Sequence, residues 1–307
     1  MTIRSEPLVA PRSSFTGADG STELAELRGR AGEQMLVLVH QPSAPPTGAA
    51  VICSPLFAEF MRNYRREVLL ARELARLGYV VERFHYRFSG NSDGEDEDLT
   101  FDSMREDALA CVADARERCP GGPLVLIGAR LGALVAASVA GEHPNAAVVL
   151  WEPMLEITRY FKEAFRARLV KERRDGDEQA PTGRQLEEVL RGGEPVEVPG
   201  HLIFPALHAS AAGRTLESEL GPDRRRLLAV QVGPTGTIRA ELARQVERWR
   251  AGGLGVDATA VKGEESWWLV DERWHDEARR PMTKELLALT TAWVEGLGTD
   301  DTEEGSR

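Results

Sequence analysis

Two glycines, Gly128 and Gly132, constrain this chain more than any other feature. The short apolar run Leu124, Val125, Leu126, Ile127 precedes them, and an apolar run over residues 133–140 follows. The first run suits a buried strand and the second a buried helix. Glycine at both ends of the turn lets the backbone bend sharply and lets the helix pack close to the strand. The residue between them, Arg130, is lifted into a cleft at the helix N-terminus. Arginine keeps its proton at neutral pH and offers only donors, so it cannot attack a carbonyl.

Strand and helix alternate through most of the chain. Residues 35–39, 49–53, 79–84 and 146–151 read as strands, and residues 67–77 and 101–118 as helices, with Gly78 as a helix C-cap. Further on, residues 226–232 and 256–262 read as strands, and residues 239–251 and 283–297 as helices. This order predicts an α/β protein with a mostly parallel central sheet covered on both faces. The alternation stops over residues 155–221. An amphipathic helix is expected there from about residue 155, with Ile157, Phe161, Phe165 and Leu169 on one face. The expected organisation is a loose N-terminus (1–20), a core (21–154 and 222–298), a cap (155–221) and an acidic tail (299–307).

With 307 residues, 42% of them hydrophobic, the chain is long enough for one large α/β domain. Its net charge of -11 argues against nucleic-acid binding. Cys53, Cys111 and Cys119 fit neither a disulfide framework nor a zinc pattern, so no metal or cofactor is expected. The N-terminus lacks a basic stretch followed by an apolar run, and no segment reaches the roughly 20 apolar residues of a membrane span. The expected location is the cytoplasm.

The order of elements and the glycine turn resemble the α/β-hydrolase fold, whose G-x-S-x-G elbow holds a nucleophilic serine where Arg130 stands here. More specific words are similar to those of the exosortase-associated hydrolases of the second type. These are Ser54-Pro55-Leu56-Phe57-Ala58-Glu59 followed by Arg65-Arg66, the elbow Gly128-Ala129-Arg130-Leu131-Gly132-Ala133, and Trp151-Glu152-Pro153. The likeness runs from about residue 35 to residue 293. Phe60 departs from it, standing where that family's loop has a second glutamate. The resemblance implies an α/β-hydrolase architecture with a helical cap; chemistry has to be argued from the site.

A serine hydrolase also needs a histidine base and a carboxylate to orient it. In this fold the histidine follows the last strand. Residues 263–268 read Gly-Glu-Glu-Ser-Trp-Trp, and the next histidine is His275. The turn over residues 232–237, where the acid is expected, holds no carboxylate. Cys53, ending a central strand, is an alternative nucleophile if a neighbouring cation lowers its pKa, and otherwise a small buried residue. Arg130 in a partly dry cleft needs a carboxylate partner. Glu59 and Glu152 share its rim by topology, so Arg130, Glu59 and Glu152 form the candidate catalytic set. They form either a structural bridge or a grip on a ligand. Phe57, Arg65, Trp267 and Trp268 are the candidate ligand contacts. The pattern predicts a hydrolase-like protein that binds or processes an acyl or carboxylate-bearing small molecule or peptide without a Ser-His-Asp mechanism. Two alternatives stand beside it: an inactive ligand-binding or accessory protein, and an esterase or thioesterase with a relocated nucleophile.

Overall fold

In the computed structural model, which describes residues 13–174, 181–221, 225–264, 267–268 and 280–304, each apolar run named above becomes a strand or helix. The first half runs β1 (Ser13–Thr16), β2 (Thr22–Arg28), β3 (Met35–Gln41), β4 (Gly48–Cys53), α1 (Phe57–Arg76), β5 (Tyr79–Phe84), α2 (Phe101–Arg118), β6 (Leu124–Ala129), α3 (Leu131–Ala140) and β7 (Ala147–Trp151). Next come α4 (Ile157–Arg174), α5 (Gly183–Arg191), the hairpin β8 (Val196–Val198) and β9 (His201–Ile203), α6 (Pro205–Ala211) and α7 (Leu216–Leu220). The chain then returns to the sheet with β10 (Arg226–Gly233), α8 (Ala240–Ala251), β11 (Gly255–Lys262) and α9 (Pro281–Glu304).

The sheet order is β1-β2-β3-β5-β4-β6-β7-β10-β11. From β5 to β11 all pairings are parallel, and β1 to β3 add an antiparallel edge. Strands β4, β5, β6 and β7 are buried along their whole length because helices cover both faces. One face packs on α1 and α9 through Leu70, Leu74, Leu286 and Val294. The other packs on α2, α3 and α8 through Met104, Leu134 and Trp249. The segment between β7 and β10 returns to this second side, with α7 against α3 and α6 against α2.

Among the elements that depart from expectation, three show a clear physical reason. Helix α1 begins at Phe57 rather than residue 67. Its first half buries the polar residues Glu59, Asn63 and Arg66, which breaks the apolar period. Residues 13–16, expected to be loose, form β1 against β2, with all four side chains exposed and so no apolar pattern to announce them. Helix α5 rests on a capping box between Thr182 and Gln185 and buries only Leu186 and Leu190. Residues 1–12 lie outside the described residues.

Candidate functional site

Arg130 sits at the apex between β6 and α3 with φ 55° and ψ -117°. Such a backbone costs a non-glycine residue roughly 1–3 kcal/mol and persists only where its surroundings enforce it. Here the Arg130 amide donates to the Trp151 carbonyl at 3.0 Å, which ties the apex to the neighbouring strand. The glycines are required by close approach. A Cβ at Gly128 would overlap the Gly132 carbonyl, and one at Gly132 would overlap the Cys53 carbonyl. Arg130 is 2% exposed and therefore points inward.

The guanidinium is enclosed by partners from several elements. Glu59, in the first turn of α1, takes it in a two-pronged contact: Nε to Oε2 at 3.2 Å and Nη2 to Oε1 at 3.1 Å. Glu163 of α4 receives a second bond from Nη2. Nη1 donates to Met154 Sδ at 2.8 Å, and the guanidinium carbon lies 3.8 Å from the ring centre of Trp268. Burial pushes the Glu59 carboxyl up to about 7, with Arg130 pulling the other way. At Glu163 burial also works against the charge, but Arg130 and then Arg159 outweigh it and hold the carboxyl below its usual value. Arg130 likewise loses to burial and gains more from Glu59 and Glu163, so its proton is held more firmly than usual.

The other expected residues are distributed differently. Glu152, with φ 46°, turns its carboxylate away from Arg130: it accepts from the Val232 amide at 2.9 Å and pairs with Arg239. Arg65 is exposed, because on α1 it faces away from the sheet. Its neighbour Arg66 is the inward residue, lying 4.7 Å from the ring centre of Trp267 and donating to the Arg62 carbonyl. Trp267 and Trp268 thus each present a ring face to a guanidinium, where a ligand wall was expected. Cys53, the alternative nucleophile, is fully enclosed, and burial, and then the charge of Glu67, pushes its thiol up. Phe57 takes a positive φ of 57° and faces Tyr160 and His201 at ring distances of 6.0 and 5.7 Å. His275 lies outside the described residues.

A cavity of about 440 Å³ opens beside this cluster, between the start of α1, the loop after β5 and residues 201–207. Its wall includes Phe57, Phe60, Tyr64, His85, His201 and Leu207. A second space of about 60 Å³ is lined by Phe57, Glu59, Tyr160 and Glu163, so Phe57 borders both. Tyr160 and Glu163 are absent from the expected set. They lie three apart on α4 and hence on one helical face. Tyr160 donates to the Leu56 carbonyl at 3.0 Å, and together the two side chains bring α4 over the elbow. The apolar stripe of α4 draws attention to Phe161 and Phe165 instead.

Known proteins show the same frame. The sequence pattern of the serine aminopeptidase S33 family (Hydrolase_4) matches residues 45–175, which include the elbow. Est1E from Butyrivibrio proteoclasticus superimposes with a TM-score of 0.57 at 12% identity, over 91% of this chain and 99% of its own. The chain has the α/β-hydrolase fold. Alpha/beta hydrolase domain-containing protein 10 from mouse superimposes with a TM-score of 0.52 at 12% identity, over 89% of this chain and 99% of its own. In sequence, the mitochondrial palmitoyl-protein thioesterase ABHD10 of Bos taurus is 36% identical over 74 residues, 24% of this chain and 23% of that protein. The human protein of the same name is 29% identical over 100 residues, 33% of this chain and 31% of that protein. These matches span about a quarter to a third of the relatives' length. The chain is thus hydrolase-like, related in fold to serine hydrolases and in part of its sequence to this thioesterase. Among the described residues no helix is long and apolar enough to cross a membrane.

Proposed function

We propose that this protein takes an acyl-bearing small molecule or peptide into the cleft beside the elbow and does not hydrolyse it by a serine route. The observation that carries this reading is Arg130 at the strained apex, enclosed by Glu59, Glu163, Met154 and Trp268. An arginine that donates to two carboxylates can neither act as nucleophile nor accept a nucleophile's proton. Residues 155–221 serve as the cap, with α4 closing over Glu59. The G-x-R-L-G-A elbow supports a kinship with the exosortase-associated hydrolases of the second type, whose elbow it resembles. The thioesterase name of the sequence relatives points to acyl groups as the ligand class. With the Arg130 donors already engaged, an acyl carbonyl fits this site better than a carboxylate, which would have to displace Glu163.

The octanoyl thioester of N-acetylcysteamine tests this reading. It is expected to bind saturably and to be recovered intact, with free thiol released no faster than in buffer. Turnover well above buffer that survives loss of Glu59 would overturn the reading. A second reading rests on Glu59 itself, whose carboxyl is pushed up to about 7 beside a space with room for roughly two waters. Glu59 then serves as a general base toward water, and Glu59→Gln abolishes whatever thiol release the native protein shows.

A further inference from the structure

Three alanines meet at the 60 Å³ space beside the elbow: Ala58 on α1, and Ala164 and Ala167 on α4. Tyr160, Glu163, Ala164 and Ala167 stand at helical spacing, so they share one face of α4, and Glu163 to Ala167 is about one turn along it. Methyl side chains at these positions leave a gap that larger ones would close against Phe57, Val198 and Pro199. The polar side chains in the described wall are engaged. Both oxygens of Glu59 hold Arg130, those of Glu163 hold Arg130 and Arg159, and the Tyr160 hydroxyl donates to the Leu56 carbonyl. With their polar atoms turned to these partners, the gap presents mostly methyl, methylene and ring carbon. The larger cavity across Phe57 differs, since Tyr64, Ser89, Asn91 and Asp96 are in its wall. Protein interiors are otherwise close-packed, and an apolar gap takes an apolar occupant in preference to water.

We propose that this gap receives a short, unbranched acyl chain, and that Ala164 and Ala167 set the length it accepts. The inference rests on the cleft-binding reading above and adds the size of the acyl group and the residues that measure it. At about 30 Å³ for each water-sized group, the gap has room for roughly two or three carbons beyond the carbonyl. Its inner end lies at Glu59, which is buried; at the other end Ala167 is half-buried and Pro199 is exposed, so the gap reaches solvent there. A longer chain emerges at that end, and its further methylenes are only partly covered. A chain in the gap also takes the room of the water that Glu59 would need as a general base. Filling the gap and releasing thiol therefore oppose each other at this site.

The acetyl, butanoyl and octanoyl thioesters of N-acetylcysteamine test the assignment by titration calorimetry. Each buried methylene is worth about fourfold in affinity, so butanoyl is expected to bind about fifteenfold more tightly than acetyl. From butanoyl to octanoyl the gain per methylene should be well below that. Ala167→Leu fills the gap, and is expected to remove the advantage of butanoyl and leave acetyl unchanged. Val198→Ala enlarges the gap from the opposite wall, and is expected to raise the gain from butanoyl to octanoyl. Melting temperatures show whether each variant is folded. Equal binding of acetyl and butanoyl, or a butanoyl advantage that survives in folded Ala167→Leu, overturns the gap as the acyl receptor and leaves the cleft-binding reading standing. If Ala167→Leu does not fold, an octanoyl gain that Val198→Ala leaves unchanged overturns it equally. No binding of any thioester overturns both readings. Catalytic thiol release well above buffer is the separate failure of the underlying reading.

Discussion

Arg130 keeps its charge inside the protein because carboxylates reach it from two elements, Glu59 from α1 and Glu163 from α4. Glu59 depends on the same contact in return. Removing one member of a buried pair leaves a lone charge and typically costs about 3–5 kcal/mol. Arg130→Ala is therefore expected to lower stability by about that amount at pH 8, measured by urea denaturation. The loss should shrink at pH 5, where Glu59 is protonated and needs no cation. Combining Arg130→Met with Glu59→Gln should cost less than the two single losses added together. A loss below about 1 kcal/mol at pH 8 would mean that the pair is not closed as described. Arg130 and Glu59 were legible in the sequence because the glycine frame and the order of strands place them on one rim. Glu163 was not, because its role depends on where α4 lies, and the apolar period of a helix says which face is buried but not against what.

The strand–turn–helix unit from β6 to α3 is the element on which the site stands. It was the most legible part of the chain, since the glycine spacing and two apolar runs specify it locally. The structure adds why Gly132 is needed: α3 starts within backbone contact of the end of β4. Gly132→Ala is expected to destabilise the protein by about 1–3 kcal/mol or more, because the clash is with backbone that cannot rotate away. A melting temperature unchanged by this substitution would show that the elbow has more room than its geometry allows. Helix α1 was only half legible. Its C-terminal half follows an apolar period through Leu70 and Leu74. Its N-terminal half buries polar groups that earn their place by partners distant in sequence, as Arg66 does with Trp267.

At the scale of the whole molecule, several buried ionisable groups make stability depend on pH. Glu59 and Glu82 are pushed up to about 7 and about 8, each chiefly by burial, from a usual 4.5. The folded state holds protons that the unfolded state has lost above pH 4.5, so these two groups lower stability as pH rises through those windows. His40 and His85 are held down to about 4 from 6.5, by burial and then Arg83. They act in the opposite sense, raising stability as pH rises from 4 to 6.5. Above pH 6.5 only the carboxylates remain, each contributing up to about 1.4 kcal/mol per pH unit. The melting temperature should therefore fall between pH 6.5 and 8.5, and Glu82→Gln should flatten that fall. A melting temperature that rises across this interval would contradict the buried charges as placed.

The overall architecture was readable because βα alternation and fully apolar strands leave few other ways to cover a sheet. The antiparallel edge was not, since β1 exposes every side chain and owes its form to pairing with β2. The central claim is that a hydrolase frame with arginine at its apex retains no serine chemistry. Labelling the intact protein with a fluorophosphonate, followed by whole-protein mass spectrometry, measures this directly. No adduct is expected on the native chain, and none on Arg130→Ser, because replacing the arginine supplies a hydroxyl without a base to activate it. A stoichiometric adduct on any serine of the native protein would contradict it.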